Sequence, residues 1–158
     1  MASRARATKS SNRINLNTSL LSIVVGIFFL TINLRSELLL IDGLVIQLVL
    51  SIPLLFTSIL AYTKLGYRRE VAKWDTLGFI TFSIAYAFIL NVIGILLAHM
   101  VSVQVSITFF VSSWILAVIY SLVDISYRKG RIKERVIKDL IFISIQFFFG
   151  LLVVLGVY

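Results

Sequence analysis

Five long stretches without a charged residue dominate this sequence. They lie near residues 16–34, 43–62, 76–98, 105–123 and 140–158. A helix rises 1.5 Å per residue, so a stretch of about 20 residues reaches about 30 Å, the thickness of a bilayer's hydrocarbon core. Only a helix satisfies its own backbone hydrogen bonds within such a segment. The sequence therefore predicts an all-α integral membrane protein, a bundle of about five transmembrane helices.

The composition agrees with a protein that is surrounded by lipid rather than by water. Hydrophobic residues make up 59% of the 158 residues and charged residues 14%, whereas an average soluble domain has about a quarter charged residues. A water-soluble chain of this length could not hide so much apolar surface, because small domains leave much of their surface in water. We expect a basic N-terminal tail over residues 1–15 and a single transmembrane domain over residues 16–158.

The first and last apolar stretches admit alternatives. The basic start of the chain resembles that of a signal peptide, but residues 16–34 are longer than the usual apolar core of roughly 7–15 residues. We interpret this stretch as a retained first span. The last stretch ends at Tyr158 without a polar tail, so a re-entrant or interfacial segment is the alternative to a fifth span.

The basic residues predict the orientation. Alternate loops carry 14 of the 15 Lys and Arg residues, and Arg35 alone falls on the opposite side. The positive-inside rule then places the N-terminus in the cytoplasm and the C-terminus outside. We expect the membrane to be the cell (inner) membrane. The three basic segments contain Arg4, Arg6, Lys9 and Arg13; Lys64, Arg68, Arg69 and Lys73; and Arg128, Lys129, Arg131, Lys133, Arg135 and Lys138.

The two basic loops are also candidate binding surfaces. Clusters of Lys and Arg beside a span attract anionic lipid headgroups at about 1 kcal/mol each, and they can equally dock an acidic soluble protein. The alternative is that these charges only set topology. The candidate partner- or lipid-binding residues are Arg68, Arg69, Lys73, Arg128, Lys129, Arg131, Lys133, Arg135 and Lys138.

Chemistry-bearing residues are scarce in this sequence. There is no cysteine, which excludes disulfides and thiolate chemistry, and His99 is the single histidine. The apolar stretches carry no ionisable group at mid-span, which counts against a proton-coupled transporter or a voltage sensor. The lack of ionisable groups counts less against a channel, because backbone carbonyls can select ions and apolar constrictions can gate a pore. We expect no enzyme, cofactor, metal or nucleic-acid partner.

Small and polar residues line one face of the third stretch. Ser83, Ala87, Asn91 and Gly94 recur at intervals of three and four, so they share a helix face. Such a face suits either close helix packing or the lining of a pore. The fourth stretch offers a similar seam at Ser113, Ala117 and Ser121.

Three further side chains carry structural expectations. Pro53 should kink the second helix, because its missing N–H frees a carbonyl one turn earlier. Tyr62 lies near a predicted membrane–water interface, where amphipathic rings are enriched. Trp114 lies at mid-span and is interpreted as a packing residue.

Two functional hypotheses follow from these patterns. The first is a non-enzymatic, homo-oligomeric multi-pass membrane subunit that acts as an anchor or sensor. Its basic cytoplasmic face would contact a soluble partner or anionic lipid. The alternative is a small oligomeric ion channel or permeation protein.

Overall fold

A computed structural model describes residues 2–34, 37–38, 41–65, 71–127 and 132–157. Within these residues, five helical segments are long and apolar enough to cross a membrane, which confirms the all-helical prediction and the number of such helices. The helices are α1 (Ala2–Leu34), α2 (Asp42–Leu65), α3 (Val71–Met100), α4 (Val103–Tyr127) and α5 (Ile132–Gln146), and α5 continues through a π-helical segment, Phe147–Leu151, into the short α6 (Leu152–Val154).

Helix α1 begins much earlier than the first apolar stretch. The helix runs without interruption from Ala2 through the residues predicted as a basic tail, 1–15, and the boundary between that tail and the transmembrane domain stays a prediction. The early residues include alanine, arginine and lysine and contain neither proline nor glycine, and those three residue types are good helix formers. Because helix nucleation is the costly step, an adjacent apolar helix extends into such residues readily.

The other helices also extend beyond their apolar stretches. Helix α3 starts at Val71 and α5 at Ile132, several residues before the apolar run in each case. Charged residues end an apolar pattern without ending a helix. The start of α4 has a local cause, because the Ser102 hydroxyl accepts a hydrogen bond from the backbone N–H of Val105 at 3.3 Å, as an N-cap residue does.

Pro53 lies inside α2 without ending it. Its carbonyl accepts a hydrogen bond of 2.8 Å from the hydroxyl of Thr57, one turn later in the same helix. The predicted kink at this position stays a prediction.

The chain divides into two compact units, Met1–Ile89 and Leu90–Tyr158. Helices α1 and α2 and the first part of α3 build the first unit, and the rest of α3 with the later helices builds the second. The core of the first unit includes Leu44, Leu48 and Leu55 of α2. The core of the second includes Val92 and Phe110.

Large apolar side chains cover much of the outer surface of both units. They include Phe29 and Leu60 in the first unit and Leu116 and Tyr120 in the second. Large exposed apolar surfaces mark contact with a membrane or with another protein. Such a surface is what lipid-facing helices require, and it agrees with an integral membrane protein.

Candidate functional site

An ionic cluster joins the three helices of the first unit. The Arg13 guanidinium of α1 donates a hydrogen bond to the Asp75 carboxylate of α3. The guanidinium carbon also lies 4.8 Å from the centroid of the Tyr62 ring of α2, within the range of a cation–π contact. The side chains of Arg13 and Asp75 are 31% and 33% exposed, so water or lipid headgroups can reach this pair.

Tyr62 is buried inside the first unit, and its position near a membrane–water interface stays a prediction. It is 2% exposed, and a Cβ atom added to Gly78 would lie 2.9 Å from its ring. The ring therefore fills the space left by a glycine on α3. The backbone carbonyl of Tyr62 accepts a hydrogen bond of 2.5 Å from Ser10, which ties the same residue to α1.

A chain of buried hydrogen bonds extends the ionic cluster along the helices. The Asn17 amide donates to the Ser58 hydroxyl at 3.0 Å, and Ser58 donates to the Gly78 carbonyl at 2.8 Å. Asn17, Arg13 and Ser10 are spaced by four and three residues, so they lie on one face of α1. This face contacts α2 and α3 through the polar side chains of these three residues.

In the second unit, Phe110 of α4 packs between two glycines. A Cβ atom added to Gly94 would come within 2.6 Å of the Phe110 ring. One added to Gly150 would come within 2.7 Å of the same ring and 2.6 Å of the Asn91 side-chain oxygen. Phe110 is fully buried, and both glycines are needed for the ring to fit.

Three hydrogen bonds lie beside Phe110 and the two glycines, and we call these three residues together with the hydrogen-bonded residues the Phe110 cluster. Asn91 donates to the backbone carbonyl of Ile145 at 3.3 Å. Ser106 donates to the Gly94 carbonyl at 2.7 Å, and Ser113 donates to the Gln146 side-chain oxygen at 3.3 Å. They join α3 to α4 and to α5, and α4 to α5, which is how polar side chains commonly connect membrane helices.

A π-helical segment and two buried hydrogen-bond donors lie next to Phe110 and its glycines. The π-helical residues Phe147–Leu151 follow Gln146 directly and include Gly150. Within the described part of the chain, neither the indole N–H of Trp114 nor the side-chain nitrogen of Gln146 has a hydrogen-bond partner. Trp114 contacts two aromatic rings, with centroids 6.4 Å from Phe110 and 6.5 Å from Phe147.

The structure places the small and polar residues of the third and fourth stretches mostly inside the protein. Ala87, Asn91 and Gly94 are buried, and Ser83 is half-buried. On α4, Ser121 is buried, while Ser113 and Ala117 are half-buried. Only Asn91, Gly94 and Ser113 of this set belong to the Phe110 cluster.

The predicted binding loops are described only in part. Lys73 is exposed near the start of α3 and Lys138 is half-buried on α5. Lys133 and Arg135 lie in the first turn of α5. Arg68, Arg69, Arg128, Lys129 and Arg131 lie outside the described residues.

The two clusters differ in the chemistry they could support. The ionic cluster offers a carboxylate and a guanidinium that neutralise each other, and the Phe110 cluster offers amides, hydroxyls and an indole. Among the described residues, no group of three or more His, Cys, Asp or Glu side chains could hold a metal ion. Both clusters act as helix contacts in this structure.

Sequence reasoning missed the residues at the centre of both clusters. Arg13 was counted only as a topological charge, and Phe110 was not distinguished from other apolar residues. A signal for the first was present, since Ser10, Arg13 and Asn17 recur at helical spacing just before the apolar stretch. No pattern in the sequence distinguishes Phe110, because its role depends on two glycines that lie on other helices.

Comparison with models of known protein families, with curated proteins and with solved structures finds no match to this chain.

Proposed function

We propose that this protein is a homo-oligomeric multi-pass membrane subunit that acts as an anchor or sensor through a basic cytoplasmic face. In this proposal all five candidate spans cross the cell (inner) membrane, with the N-terminus in the cytoplasm and the C-terminus outside. Successive crossings alternate sides, so the N-terminal segment and the loops after the second and fourth spans share one side. The observation that carries the proposal is that these segments hold 14 of the 15 basic residues.

The ionic cluster supports part of this arrangement. Ser10 and Arg13 of the N-terminal segment contact Tyr62 and Asp75, which flank the loop between α2 and α3. The first two basic segments therefore meet at one end of the first unit. Arg13 is neutralised there by Asp75, so it does not add to the charge that the basic face offers to an external partner.

The proposed ligand of the basic face is a negatively charged surface. The segment with Arg128, Lys129, Arg131, Lys133, Arg135 and Lys138 has the highest density of positive charge in the chain. Each such residue contributes about 1 kcal/mol to attraction toward anionic lipid. An acidic soluble protein offers the same electrostatic complement.

The test is a binding assay on the full chain held in phosphatidylcholine nanodiscs. We expect it to capture phosphatidylglycerol vesicles and not phosphatidylcholine vesicles on flotation. Replacing Arg131, Lys133 and Arg135 by Gln should weaken capture by about 3 kcal/mol, or more than about a hundredfold, at about 1 kcal/mol per charge. The charge-conserving control Arg131→Lys, Lys133→Arg, Arg135→Lys should bind like the parent.

Salt provides the second arm of this test. The Debye length falls from about 10 Å at 0.1 M to about 3 Å at 1 M ionic strength, so capture should be lost at high salt. Salt-sensitive capture of an acidic soluble protein, with no vesicle capture, would identify a protein partner instead. If the triple Gln variant binds both probes like the parent, the charges serve orientation alone and the proposal is wrong.

A small oligomeric channel is the second candidate function. One observation favours it, namely that the first span presents polar residues such as Asn15, Ser19 and Ser22 on its exposed surface. Copies arranged around these surfaces could enclose water. The check is ion flux through reconstituted liposomes, where a flux abolished by Ser19→Leu and Ser22→Leu would favour the channel over the anchor.

A further inference from the structure

Two neighbouring residues of α4 meet two neighbouring residues at the end of α5 and the start of the π-helical segment. The Ser113 hydroxyl donates a hydrogen bond to the Gln146 side-chain oxygen at 3.3 Å. The centroid of the Trp114 ring lies 6.5 Å from that of the Phe147 ring. Because the residues are consecutive on both helices, these two interactions form one contact, which we call the α4–α5 contact.

The α4–α5 contact contains two N–H groups that are closed off from solvent. Among the described residues, neither the side-chain nitrogen of Gln146 nor the indole nitrogen of Trp114 has a hydrogen-bond partner. Gln146 is 0% exposed, and its bond to Ser113 holds the amide between the two helices. A buried donor without a partner costs free energy, and native proteins contain few of them. Two such donors in one contact therefore indicate a site for a hydrogen-bond acceptor.

The helix that carries Gln146 is irregular at this point. The π-helical residues Phe147–Leu151 follow Gln146 directly, and π-helical turns of this kind occur frequently at functional sites. The three phenylalanines at the start of the segment are between 39% and 53% exposed. Gln146 itself is buried, so its donor lies just inside an exposed aromatic surface.

The donors determine which atom of a ligand would fit. An indole N–H and an amide N–H only donate, and the oxygen of the Gln146 amide already accepts from Ser113. A buried water molecule typically makes about three hydrogen bonds, and its own two hydrogens would need acceptors. A carbonyl oxygen accepts two hydrogen bonds and has no hydrogen to place. The site therefore matches a carbonyl oxygen better than a water molecule.

The surroundings determine the rest of the ligand. Trp114 lies near the middle of the candidate span Val103–Ser126, where a charged group is costly. The centroid of its ring lies 6.4 Å from that of Phe110 and 6.5 Å from that of Phe147. Sites for small ligands combine apolar and aromatic walls with a few polar groups, and a flat ring can stack on such walls. A neutral, flat, apolar molecule with a carbonyl group meets these conditions.

We propose that the α4–α5 contact binds a lipid-soluble quinone, whose carbonyl oxygen accepts hydrogen bonds from the Gln146 amide and the Trp114 indole. Both donors are covered, so the quinone reaches them when the Phe147 ring turns outward, and that ring is already 39% exposed. The site goes beyond the basic face, since it belongs to the second unit and requires only that α4 and α5 lie in a bilayer.

The test follows tryptophan fluorescence of the full chain in phosphatidylcholine nanodiscs. The chain has two tryptophans, so Trp74→Phe leaves Trp114 as the only reporter. The probe is decylubiquinone, because quinones quench an indole that they contact. We expect quenching that saturates as the quinone content of the bilayer rises. Decylbenzene, which has the ring and the chain but no carbonyl, should not displace the quinone.

Gln146→Met in the Trp74→Phe background removes the amide donor and keeps a side chain of similar length. The loss of one hydrogen bond of about 1 kcal/mol should raise the half-saturating quinone content about fivefold. The matched control is Gln104→Met, at an exposed position of α4, which should bind quinone like the parent. Trp114→Phe with Trp74 retained should show only quenching that rises linearly.

The unfolding temperature provides a second measurement. Without quinone, Gln146→Met should be at least as stable as the parent, because it removes a buried donor without a partner. Added quinone should raise the unfolding temperature of the parent more than that of the variant. A variant less stable than the parent without quinone would show that the amide is satisfied within the protein, and would overturn the proposal. Linear quenching of the parent, unchanged binding by Gln146→Met, or displacement by decylbenzene would also overturn it.

Discussion

The two units of this protein hold their helices together by different means. In the first unit, Arg13, Asp75 and the Asn17–Ser58 pair connect three helices through polar contacts. In the second, the central contact is the Phe110 ring between Gly94 and Gly150. Polar contacts tolerate small movements of the helices, whereas a ring between two glycines demands shape complementarity. Substitutions at the central contact of the second unit should therefore lower the free energy of unfolding more than substitutions at the polar contacts of the first.

Gly94→Leu should have the largest effect. The leucine side chain would overlap the Phe110 ring, which a single Cβ atom already approaches within 2.6 Å. Overpacking of this kind costs roughly 1–3 kcal/mol, so we expect a clear drop in the thermal unfolding temperature in detergent, followed by circular dichroism.

Two variants sharpen this prediction. Adding Phe110→Ala to Gly94→Leu should recover part of the lost stability, because the two changes roughly conserve volume. Gly26→Ala should leave the unfolding temperature unchanged or raise it slightly, since the added methyl meets open space and alanine favours a helix. A Gly94→Leu protein as stable as the parent would contradict the packing described for the second unit.

Ser58→Ala should have an intermediate effect. The Ser58 hydroxyl accepts a hydrogen bond from Asn17 and donates one to the Gly78 carbonyl. Side-chain hydrogen bonds between membrane helices contribute about 0.6 kcal/mol on average and up to about 1.7 kcal/mol, so a loss of this size is expected in the free energy of unfolding.

The neighbouring residue provides a matched control for Ser58→Ala. Thr57 is exposed and hydrogen-bonds within its own helix, to the Pro53 carbonyl, so Thr57→Ala should change the free energy of unfolding much less. Equal effects of the two substitutions would show that the Asn17–Ser58–Gly78 chain does not hold the helices together.

The Arg13–Asp75 pair should have the smallest effect and the strongest dependence on salt. Both side chains are about one-third exposed, and exposed ion pairs contribute about 0–1 kcal/mol. A double-mutant cycle with Arg13→Gln and Asp75→Asn should give a coupling free energy within that range. The coupling should shrink as salt is raised. A coupling of several kcal/mol that ignores salt would mean that the pair is shielded from solvent.

The sequence predicted the helices better than their contacts. Apolar stretches of about 20 residues located all five long helices, because hydropathy and helix rise are local properties. The helices α1 and α3 begin at Ala2 and Val71, before the first residue of their apolar stretches, because helix-forming residues precede those stretches. Charge marks where a helix leaves hydrocarbon, and it does not mark where a helix ends.

The candidate site was predicted only where spacing along one helix revealed it. Asn91 and Gly94 could be identified because they share a face of α3. Gly150 has no such pattern on its own helix, although it lies against Phe110 and Asn91. Its role depends on a π-helical segment and on residues of two other helices, and neither leaves a local pattern in the sequence.

The most direct test of the account is a topology measurement on the full chain. A reporter that is active only in the cytoplasm should work when inserted at residues 66–70 and should be silent when fused after Tyr158. A reporter that is active only outside should show the reverse. Cytoplasmic activity after Tyr158 would contradict an odd number of crossings. Silence at residues 66–70 would contradict a cytoplasmic basic face.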